Sequence, residues 1–329
     1  MSVPLSLLDL AFVAPGQSPR DAFAGCVAVA QLAEKLGYRR IWYAEHHNMA
    51  TIASSATSVL IAHVATHTRT IRLGAGGIML PNHAPLVIAE QFGTLASLHP
   101  DRIDLGLGRA PGTDPVTSRA LRVHPMAAES FPEDILELQG YLGDESRIAG
   151  IDAVPGKGTH VPLYILGSSL FGAKLAARLG LPYAFASHFA PAALEEAVAI
   201  YRREFRPSEQ LAKSYVIAGV NVIAADSAEE AKQQFAAVQR WRVRALLGRG
   251  SGGESWTDED AQSVLDSPAG QRVKAMSTYS AVGTPGEVEG YVERFARQAD
   301  ADELMVVHPS PRLDDRLRSI ELLARTNAR

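Results

Sequence analysis

Cysteine and excess charge are scarce in this chain of 329 residues. Its one cysteine, Cys26, has no partner for an internal disulfide, and the helical pattern around it places it on an apolar face. We therefore expect a reduced thiol in the core. The formal net charge is only −4, and no dense run of Lys and Arg is present. This excludes the basic footprint that is typical of a nucleic-acid-binding protein.

Long apolar runs are missing as well. Glycine or proline ends each apolar stretch at the length of a strand, short of the roughly 20 residues that a membrane-spanning helix needs. Residues 1–4 lead directly into a predicted strand, with no basic segment ahead of an apolar one, so no secretory signal is predicted. We expect a cytoplasmic protein without a membrane span.

Common catalytic and metal-binding motifs are also absent. The sequence contains no G-x-S-x-G nucleophile elbow, no G-x-x-x-x-G-K-S/T phosphate loop and no Cys-x-x-Cys pair. A dinucleotide fingerprint starting at Gly106 fails because Pro111 stands where the third glycine should be. His63 and His67 lie four residues apart on a predicted helix, but no glutamate lies between them and one of the two is predicted on the core stripe. We therefore expect no metal site.

Alternating strands and helices are what the sequence does contain. Apolar residues make up 47% of the chain, enough for a sizeable core. Eight short apolar runs predict strands at residues 5–12, 40–44, 71–78, 103–108, 163–167, 183–187, 216–224 and 303–308. Because helical segments separate them and no linker divides the chain, we predict a single domain over residues 1–329. Its fold is predicted to be α/β, a (β/α)8 TIM barrel with insertions, in preference to a doubly wound open sheet.

Helical periodicity predicts an outer ring of helices. One apolar stripe contains Phe23, Cys26, Val27, Ala30 and Ala33, and another contains Ala56, Val59, Leu60, His63 and Val64. Thr284, Pro285 and Glu287 form the pattern of a capped helix start. Two connections, roughly residues 110–160 and 247–282, are longer than usual and would shape a pocket. The second contains four glycines and is predicted to be mobile: Gly248, Gly250, Gly252 and Gly253.

Polar side chains follow most of the predicted strands. The carboxyl ends of barrel strands meet at one face, where the active site of such a fold lies. The residues at these ends are Glu45, His46 and His47, then Pro81, Asn82 and His83, then Arg109, then Ser168 and Ser169, and finally His188. Histidine can move protons near neutral pH, and neighbouring side chains on a strand point opposite ways, so one of His46 and His47 is expected to face the pocket. For any one of these residues, the alternative is that it is polar only because loops at strand ends generally are, and that it has no part in a site.

A phosphate site is predicted where the fourth and fifth strands end. Ser168 and Ser169 open a helix, and the first amides of a helix are unpaired and attract anions. Arg109 follows the neighbouring strand, and its rigid fork suits a phosphate. Serine is also a common N-cap, so the two serines alone fit a structural role equally well. Together with Arg109 they favour an anion site.

Three glycines interrupt the third predicted strand, at Gly74, Gly76 and Gly77. Glycine inside a strand marks a bulge or a close approach by another group. A flat ring stacked on this backbone and tight packing inside the barrel both explain the pattern, and the residues alone leave the choice open.

Several segments together resemble the luciferase-like flavin-dependent monooxygenases, the family of the bacterial luciferase α subunit. They are Trp-Tyr-Ala-Glu-His-His at 42–47, Arg-Leu-Gly-Ala-Gly-Gly-Ile-Met-Leu-Pro at 72–81, Arg-Ile-Asp-Leu-Gly-Leu-Gly-Arg at 102–109, Ser-Arg-Ala-Leu at 118–121, Leu-Gly-Ser-Ser at 166–169, Gly-Leu-Pro-Tyr at 180–183 and Ala-Asp-Glu-Leu-Met-Val at 301–306. The matches follow the family's order over most of the chain. Their joint occurrence is specific, although no single segment is.

The resemblance implies an FMN-dependent monooxygenase, in which a separate reductase supplies reduced FMN that reacts with O2 and oxidises a small organic substrate. By position, His46 resembles the family's pocket histidine, which supports the reactive flavin and proton transfer. Gly76 and Gly77 align with a non-proline cis peptide under the flavin ring. Arg109, Ser168 and the amide of Ser169 are implied to hold the FMN phosphate. A homodimer formed through the early helices is expected.

The sequence also departs from the family pattern. The reactive cysteine of luciferase has no counterpart, because Cys26 lies on an early helix, so light emission is not expected. Phe171 and Gly172 stand where a third hydroxyl often contacts the phosphate. Two alternatives stay open: an oxidoreductase that uses deazaflavin F420, and a catalytically silent flavin-binding protein. The organic substrate is not encoded in any readable motif.

Overall fold

A closed barrel of eight parallel strands forms the centre of the computed structural model, which describes residues 3–110, 112–247 and 256–327. This confirms the predicted (β/α)8 architecture. The strands are β1 (Leu5–Asp9), β2 (Arg40–Tyr43), β3 (Arg72–Met79), β4 (Ile103–Gly108), β5 (Leu163–Gly167), β6 (Tyr183–Phe185), β7 (Val216–Ala224), β8 (Ser280–Gly283) and β9 (Glu303–Val307). Of these, β8 lies outside the barrel.

The ring closes where β6 pairs with β7, β7 with β9, and β9 with β1. The first half of β7 pairs with β9, with Ile217 opposite Glu303, and its second half leaves the barrel and pairs with β8, with Asn221 opposite Ser280. The sequence prediction misses β8, which falls in the segment expected to be a connection. Its four residues, Ser-Ala-Val-Gly, carry too little apolar alternation to distinguish a strand from a loop.

Two predicted strands end earlier than expected, while the other six agree to within one residue at each end. The strand predicted at 5–12 stops at Asp9, whose Oδ1 accepts a hydrogen bond from the amide of Ala11 at 2.9 Å. Ala11 has a φ of 51°, which turns the chain out of the sheet. The strand predicted at 183–187 stops at Phe185, whose carbonyl accepts from the amide of Ser187 at 2.9 Å.

Helices cover the outside of the barrel. They are α1 (Pro19–Lys35), α2 (Thr57–Ala65), α3 (Pro85–Leu98), α4 (Pro115–Ala120), α5 (Phe131–Leu142), α6 (Leu170–Leu179), α7 (Leu194–Glu204), α8 (Ala228–Leu247), α9 (Asp258–Leu265), α10 (Pro268–Ala275), α11 (Pro285–Gln298) and α12 (Leu313–Asn327). None of these described helices combines the length and the apolar character that crossing a bilayer requires.

The two long connections contain helices of their own, α4 and α5 in the first and α9 and α10 in the second. The glycines predicted to be mobile, Gly248, Gly250, Gly252 and Gly253, lie outside the described residues. At the start of α11, Thr284 and Glu287 form the predicted capping box.

The helical stripes are predicted with unequal success. Cys26 on α1 is buried, 1% exposed, as expected. The stripe predicted for α2 is only partly right: Leu60 and Val64 are buried, but Val59 is 67% exposed and His63 is exposed, whereas Ile61 is fully buried. Apolar residues surround α2 on nearly all sides, so periodicity cannot select its inner face and packing against the barrel decides.

A network of buried charges fills the amino-terminal end of the barrel. Nη1 of Arg40 donates to Oδ2 of Asp104 at 2.7 Å and to the hydroxyl of Tyr164 at 2.6 Å, and Nη2 donates to Oε2 of Glu303 at 3.2 Å. The side chain of Arg40 is 2% exposed and both carboxylates are fully buried. Charges from three strands, β2, β4 and β9, therefore compensate one another inside the ring.

We expect Arg40→Met to lower the free energy of unfolding by about 3 to 5 kcal/mol, because two buried carboxylates lose their shared cation. Arg39→Met is the matched control, since Arg39 is half exposed and lies 3.7 Å from the same Glu303. Its loss is expected to cost less than about 1 kcal/mol. Urea unfolding measures both values, and equal losses would contradict this account of the network.

Candidate active site

After the end of β2, the side chains of two neighbouring histidines point to opposite sides of the chain. Nε2 of His47 donates to Oε1 of Glu45 at 2.8 Å, so these two side chains share one side of the chain. His46 lies between them in sequence and, by alternation, on the opposite side, which continues the interior face of Trp42 and Ala44. Its charge affects the titration of His188, which follows β6. As expected, the two histidines diverge.

The carboxylate of Glu45 is a buried acceptor, 1% exposed, for four donors. They are Nε2 of His47 at 2.8 Å, Nε2 of His83 at 2.9 Å, Nδ2 of Asn82 at 3.0 Å and the amide of Met79 at 3.0 Å. Burial alone would raise the pKa of Glu45, but the hydrogen bond and charge of His83, with the bonds from His47 and Asn82, lower it below its ordinary value. Glu45 is therefore ionised at neutral pH.

Glu45 fixes the chain that follows β3. Its amide donates to the carbonyl of Gly77 at 3.1 Å, while its carboxylate holds Met79 and His83 further along. Asn82 closes a short 3₁₀ turn, Leu80–Asn82, that contains the predicted strand-end residue Pro81. The strand-end pattern groups Asn82 and His83 with His46, whereas the structure brings both to Glu45. Through these bonds, Asn82 and His83 hold the backbone after β3 against the end of β2.

His46 and His188 are half-buried, and each has a buried ring nitrogen without a partner among the described residues. Nδ1 of His46 and Nδ1 of His188 make no hydrogen bond within the described residues. Burial lowers the pKa of His46, and burial together with the charges of Arg242 and His46 lowers the pKa of His188 to about 3. Both rings are therefore neutral at neutral pH, and each offers an unused nitrogen. Such groups at the mouth of a barrel are candidates for binding or proton transfer.

The glycines of β3 are required by the barrel interior. A Cβ at Gly74 would lie 2.9 Å from Trp42, and one at Gly76 would lie 2.8 Å from the same side chain. A Cβ at Gly77 would lie 2.7 Å from the carbonyl of Gly106. The tight-packing alternative thus explains the glycines without a ligand. The peptide bond between Gly76 and Gly77 is cis, as the resemblance implies.

The predicted phosphate site lies on the rim of the barrel. Ser168 and Ser169 are exposed, and Ser169 is the N-cap of α6 without a side-chain capping hydrogen bond. The guanidinium carbon of Arg109 lies 4.0 Å from the ring centroid of Phe171, which belongs to the first turn of α6. An open cavity of about 560 Å³ adjoins them, lined by Arg109, Ala110, Ala128, Glu129, Pro132 and Phe171. The structure thus brings the three predicted phosphate-binding residues to one helix terminus.

The sequence analysis does not predict the positions that two residues, Phe171 and Arg242, take at this face. Phe171 is interpreted from sequence as the loss of a hydroxyl, but its ring holds the guanidinium of Arg109 at the helix start. Arg242 lies on α8, and Nη1 donates to Oγ of Ser277 at 2.7 Å. No strand-end rule finds Arg242, because α8 reaches the site from outside the barrel. Its only signal in the sequence is its position between Arg240 and Arg244 on one helix.

The described residues contain no group of three or more His, Cys, Asp or Glu side chains arranged to hold a metal ion. The rings of His63 and His67 contact each other edge to face at 4.8 Å, on an exposed helix end. Nδ1 of His67 lies 2.9 Å from the carbonyl of His63, so this nitrogen has a local partner.

Comparison with known proteins identifies the family. The sequence model of the luciferase-like monooxygenases matches residues 3–302. A luciferase-like monooxygenase of Escherichia coli K12 is 47% identical over 323 residues, covering 98% of this chain and 96% of its own. The N-acetyl-S-alkylcysteine monooxygenase of Bacillus subtilis is 30% identical over 330 residues, covering 98% and 97%. The chain belongs to the luciferase-like monooxygenase family, a class of oxidoreductases.

Solved structures share the fold. The crystal structure of apo-MsnO8 superposes with a TM-score of 0.88 at 34% identity, covering 99% of this chain and 98% of that one. The oxygenating constituent of 3,6-diketocamphane monooxygenase from Pseudomonas putida, solved with FMN, has a TM-score of 0.69 at 18% identity and 98% and 97% coverage. An F420-dependent secondary alcohol dehydrogenase has a TM-score of 0.67 at 16% identity and 98% coverage of both chains. At these low identities the last two share the fold alone.

Replacing Glu45 by Gln tests the buried carboxylate through its pH dependence. The folded state lowers the pKa of Glu45, so its stabilisation is complete above the ordinary value of 4.5 and is lost as the pH falls through the lowered pKa. At pH 7 we expect Glu45→Gln to reduce the free energy of unfolding by about 1 to 3 kcal/mol. The difference from the native chain should shrink below pH 4.5. Urea unfolding across this range measures it.

Glu209→Gln serves as the control, because Glu209 is exposed and should show little difference at any pH. A Glu45→Gln effect that is constant with pH would mean that the ionised form of Glu45 has no special role.

Proposed function

We propose that this chain is an FMN-dependent monooxygenase of the two-component type, which receives reduced FMN from a separate reductase and uses O2 to oxidise a small organic substrate. Its family membership supports the reaction class. We further propose that it acts in the cytoplasm as a single barrel domain and as a homodimer formed through its early helices.

One observation carries the cofactor proposal: the start of α6 has no side-chain cap while Arg109 stacks on Phe171 in its first turn. Within the described residues no carboxylate forms an ion pair with Arg109, so its charge is available to an anion. The exposed hydroxyls of Ser168 and Ser169 add donors at the same place. Charge, helix dipole and free amides then favour one phosphate group. These three residues fit the phosphate of FMN and would hold it.

Bound FMN would supply a ring that stores two electrons and passes them to O2. His46 is neutral and its Nδ1 is free, so it could accept or hold a proton inside the barrel mouth. The ring would lie beside the backbone of Gly76 and Gly77, with Glu45 holding the strand end in place. In this proposal His46 is the catalytic residue, and Glu45 is a positioning residue.

The lining of the rim cavity favours FMN over F420. The longer tail of F420 would need further cations beyond the phosphate. The cavity next to Arg109 is lined by Ala110, Ala128, Glu129 and Pro132, with no second basic residue among the described lining and with one acid. An acidic residue repels a negatively charged tail. A cofactor that ends at its phosphate fits this lining better.

Arg109→Gln is expected to weaken FMN binding about tenfold or more, because the phosphate loses a charge-assisted contact. Riboflavin has no phosphate, so its affinity should change little. Arg178→Gln, at the other end of α6 and exposed, is the matched control and should leave FMN affinity unchanged. Isothermal titration measures all three, with F420 as a competitor. Equal effects of Arg109→Gln on FMN and riboflavin would refute the phosphate assignment.

His46→Ala is expected to change the rate at which bound reduced FMN is reoxidised in air by about tenfold or more, because the buried proton carrier is removed. FMN affinity should be nearly unchanged, since His46 does not contact the phosphate site. The control is His47→Gln, which alters the neighbouring ring on the side of Glu45. Stopped-flow absorbance gives the rates. A protein in which His46→Ala reoxidises FMN like the native chain would be a silent flavin-binding protein.

A further inference from the structure

Two neighbouring residues of helix α8 contact segments near the barrel mouth. Trp241 contacts Phe12, in the loop after β1, with ring centroids 5.2 Å apart. The next residue, Arg242, donates from Nη1 to Oγ of the buried Ser277 at 2.7 Å. The charge of Arg242 also acts on His188, in the loop after β6. Contacts join the two regions as well: Oγ of Ser280 donates to the carbonyl of Ser277 at 2.7 Å, and Asn221, opposite Ser280 in the sheet, donates to the carbonyl of His188 at 2.7 Å. Arg242 therefore lies on the side of the barrel mouth that carries His188.

Three arginines on this helix differ in their partners. Nε of Arg240 donates to Oδ2 of Asp258 at 3.1 Å, and Nη2 of Arg244 donates to Oδ1 of the same carboxylate. Arg242 lies between them in sequence, yet no carboxylate of the described chain forms an ion pair with it. Burial lowers the pKa of Arg242, and no acidic neighbour offsets this effect. A half-buried cation without a counter-charge is unfavourable, so an anionic ligand would stabilise it.

Other polar atoms around this cation are also unpaired. Nδ1 of His46, Nδ1 of His188 and Oδ1 of Asn221 are buried and have no hydrogen-bond partner within the described residues. Asn221 is tied to the histidine loop, because its Nδ2 donates to the carbonyl of His188 at 2.7 Å. Nearly all buried polar atoms in proteins are paired, so a cluster of exceptions indicates a site that binds a polar molecule.

We propose that Arg242 binds an anionic group of the organic substrate, a carboxylate in the simplest case, in the barrel mouth beside His46 and His188. This assignment rests on the proposed function, which supplies the oxidation that the substrate undergoes. The bond to Ser277 uses one side of the guanidinium and leaves its other donors for the ligand. A planar fork suits a carboxylate in two-point contact.

The flavin phosphate and the substrate anion would then have separate cations. Arg109 is exposed at the rim and stacks on Phe171, whereas Arg242 is half-buried and bonded to Ser277. Neutral substrates would leave the charge of Arg242 uncompensated, so the site should discriminate against them.

Calorimetry with a panel of simple monocarboxylates (acetate, benzoate and octanoate) and their uncharged amides tests the proposal on the flavin-free protein and again with FMN. At least one carboxylate should bind more tightly than its amide, and Arg242→Gln should weaken that binding about tenfold or more while leaving the amide unaffected. Arg244→Gln, on the same helix, should have little effect. Carboxylate binding that matches amide binding, or that survives Arg242→Gln, would overturn the assignment.

Two further measurements distinguish a substrate-binding Arg242 from a structural one and from one that binds the cofactor. Arg242→Met should melt no lower than the native chain, since it removes an unpaired charge, and a clear fall in Tm would make Arg242 a structural residue and overturn the proposal. If Arg242→Gln weakens FMN as strongly as Arg109→Gln does, the cation serves the cofactor and the proposal also fails, while the proposed function stands. If the native chain binds carboxylates through Arg242 but no FMN, the anion site stands and the proposed function fails.

Discussion

The ionised carboxylate of Glu45 is the constraint on which the rest of the site depends. It accepts four hydrogen bonds at 2.8 to 3.0 Å and has almost no contact with water. By satisfying the backbone after β3 and two histidines at once, it joins the ends of two neighbouring strands. Side-chain alternation then leaves His46 on the opposite side, facing the interior with an unused nitrogen. One buried negative charge thus determines which histidine is held in place and which remains available.

Charge compensation differs between the two ends of the barrel. At the amino-terminal end, Arg40 is neutralised by Asp104 and Glu303, and the network contributes to stability. At the carboxyl end, half-buried Arg242 donates to the hydroxyl of Ser277 in place of an acid, and the nearby histidine rings are neutral. Arginine is therefore charge-compensated at one end of the barrel, whereas at the other end Arg242 has no counter-charge among the described residues. Uncompensated polar groups lower stability, so their concentration at the mouth indicates a place kept for ligands.

The sequence predicts the barrel because its strands are buried on both faces and differ clearly from the amphipathic helices around them. It misses β8, whose few residues pair only where β7 leaves the ring, and it identifies the inner face of α2 only in part, because the apolar surface of α2 is nearly continuous. For the site, strand-end position groups Arg109, Ser168 and Ser169, and the structure places these three residues at one helix start. The same rule cannot separate Glu45 from His46, since only side-chain direction does so, and it cannot find Arg242 on a helix that approaches from outside.

The glycines of β3 form a pattern that suggests a ligand site, but packing inside the barrel explains it as well. Trp42 fills the interior so closely that a Cβ at Gly74 or Gly76 would collide with it, which explains these residues without any ligand. The same large ring lies two residues before Ala44 and four before His46, on the interior face of β2. A strand without side chains is therefore needed to let Trp42 pack. The packing requirement alone accounts for Gly74 and Gly76, so the glycines by themselves are no argument for a cofactor. The argument for one comes from the unpaired groups that packing does not explain, at the rim and at the mouth.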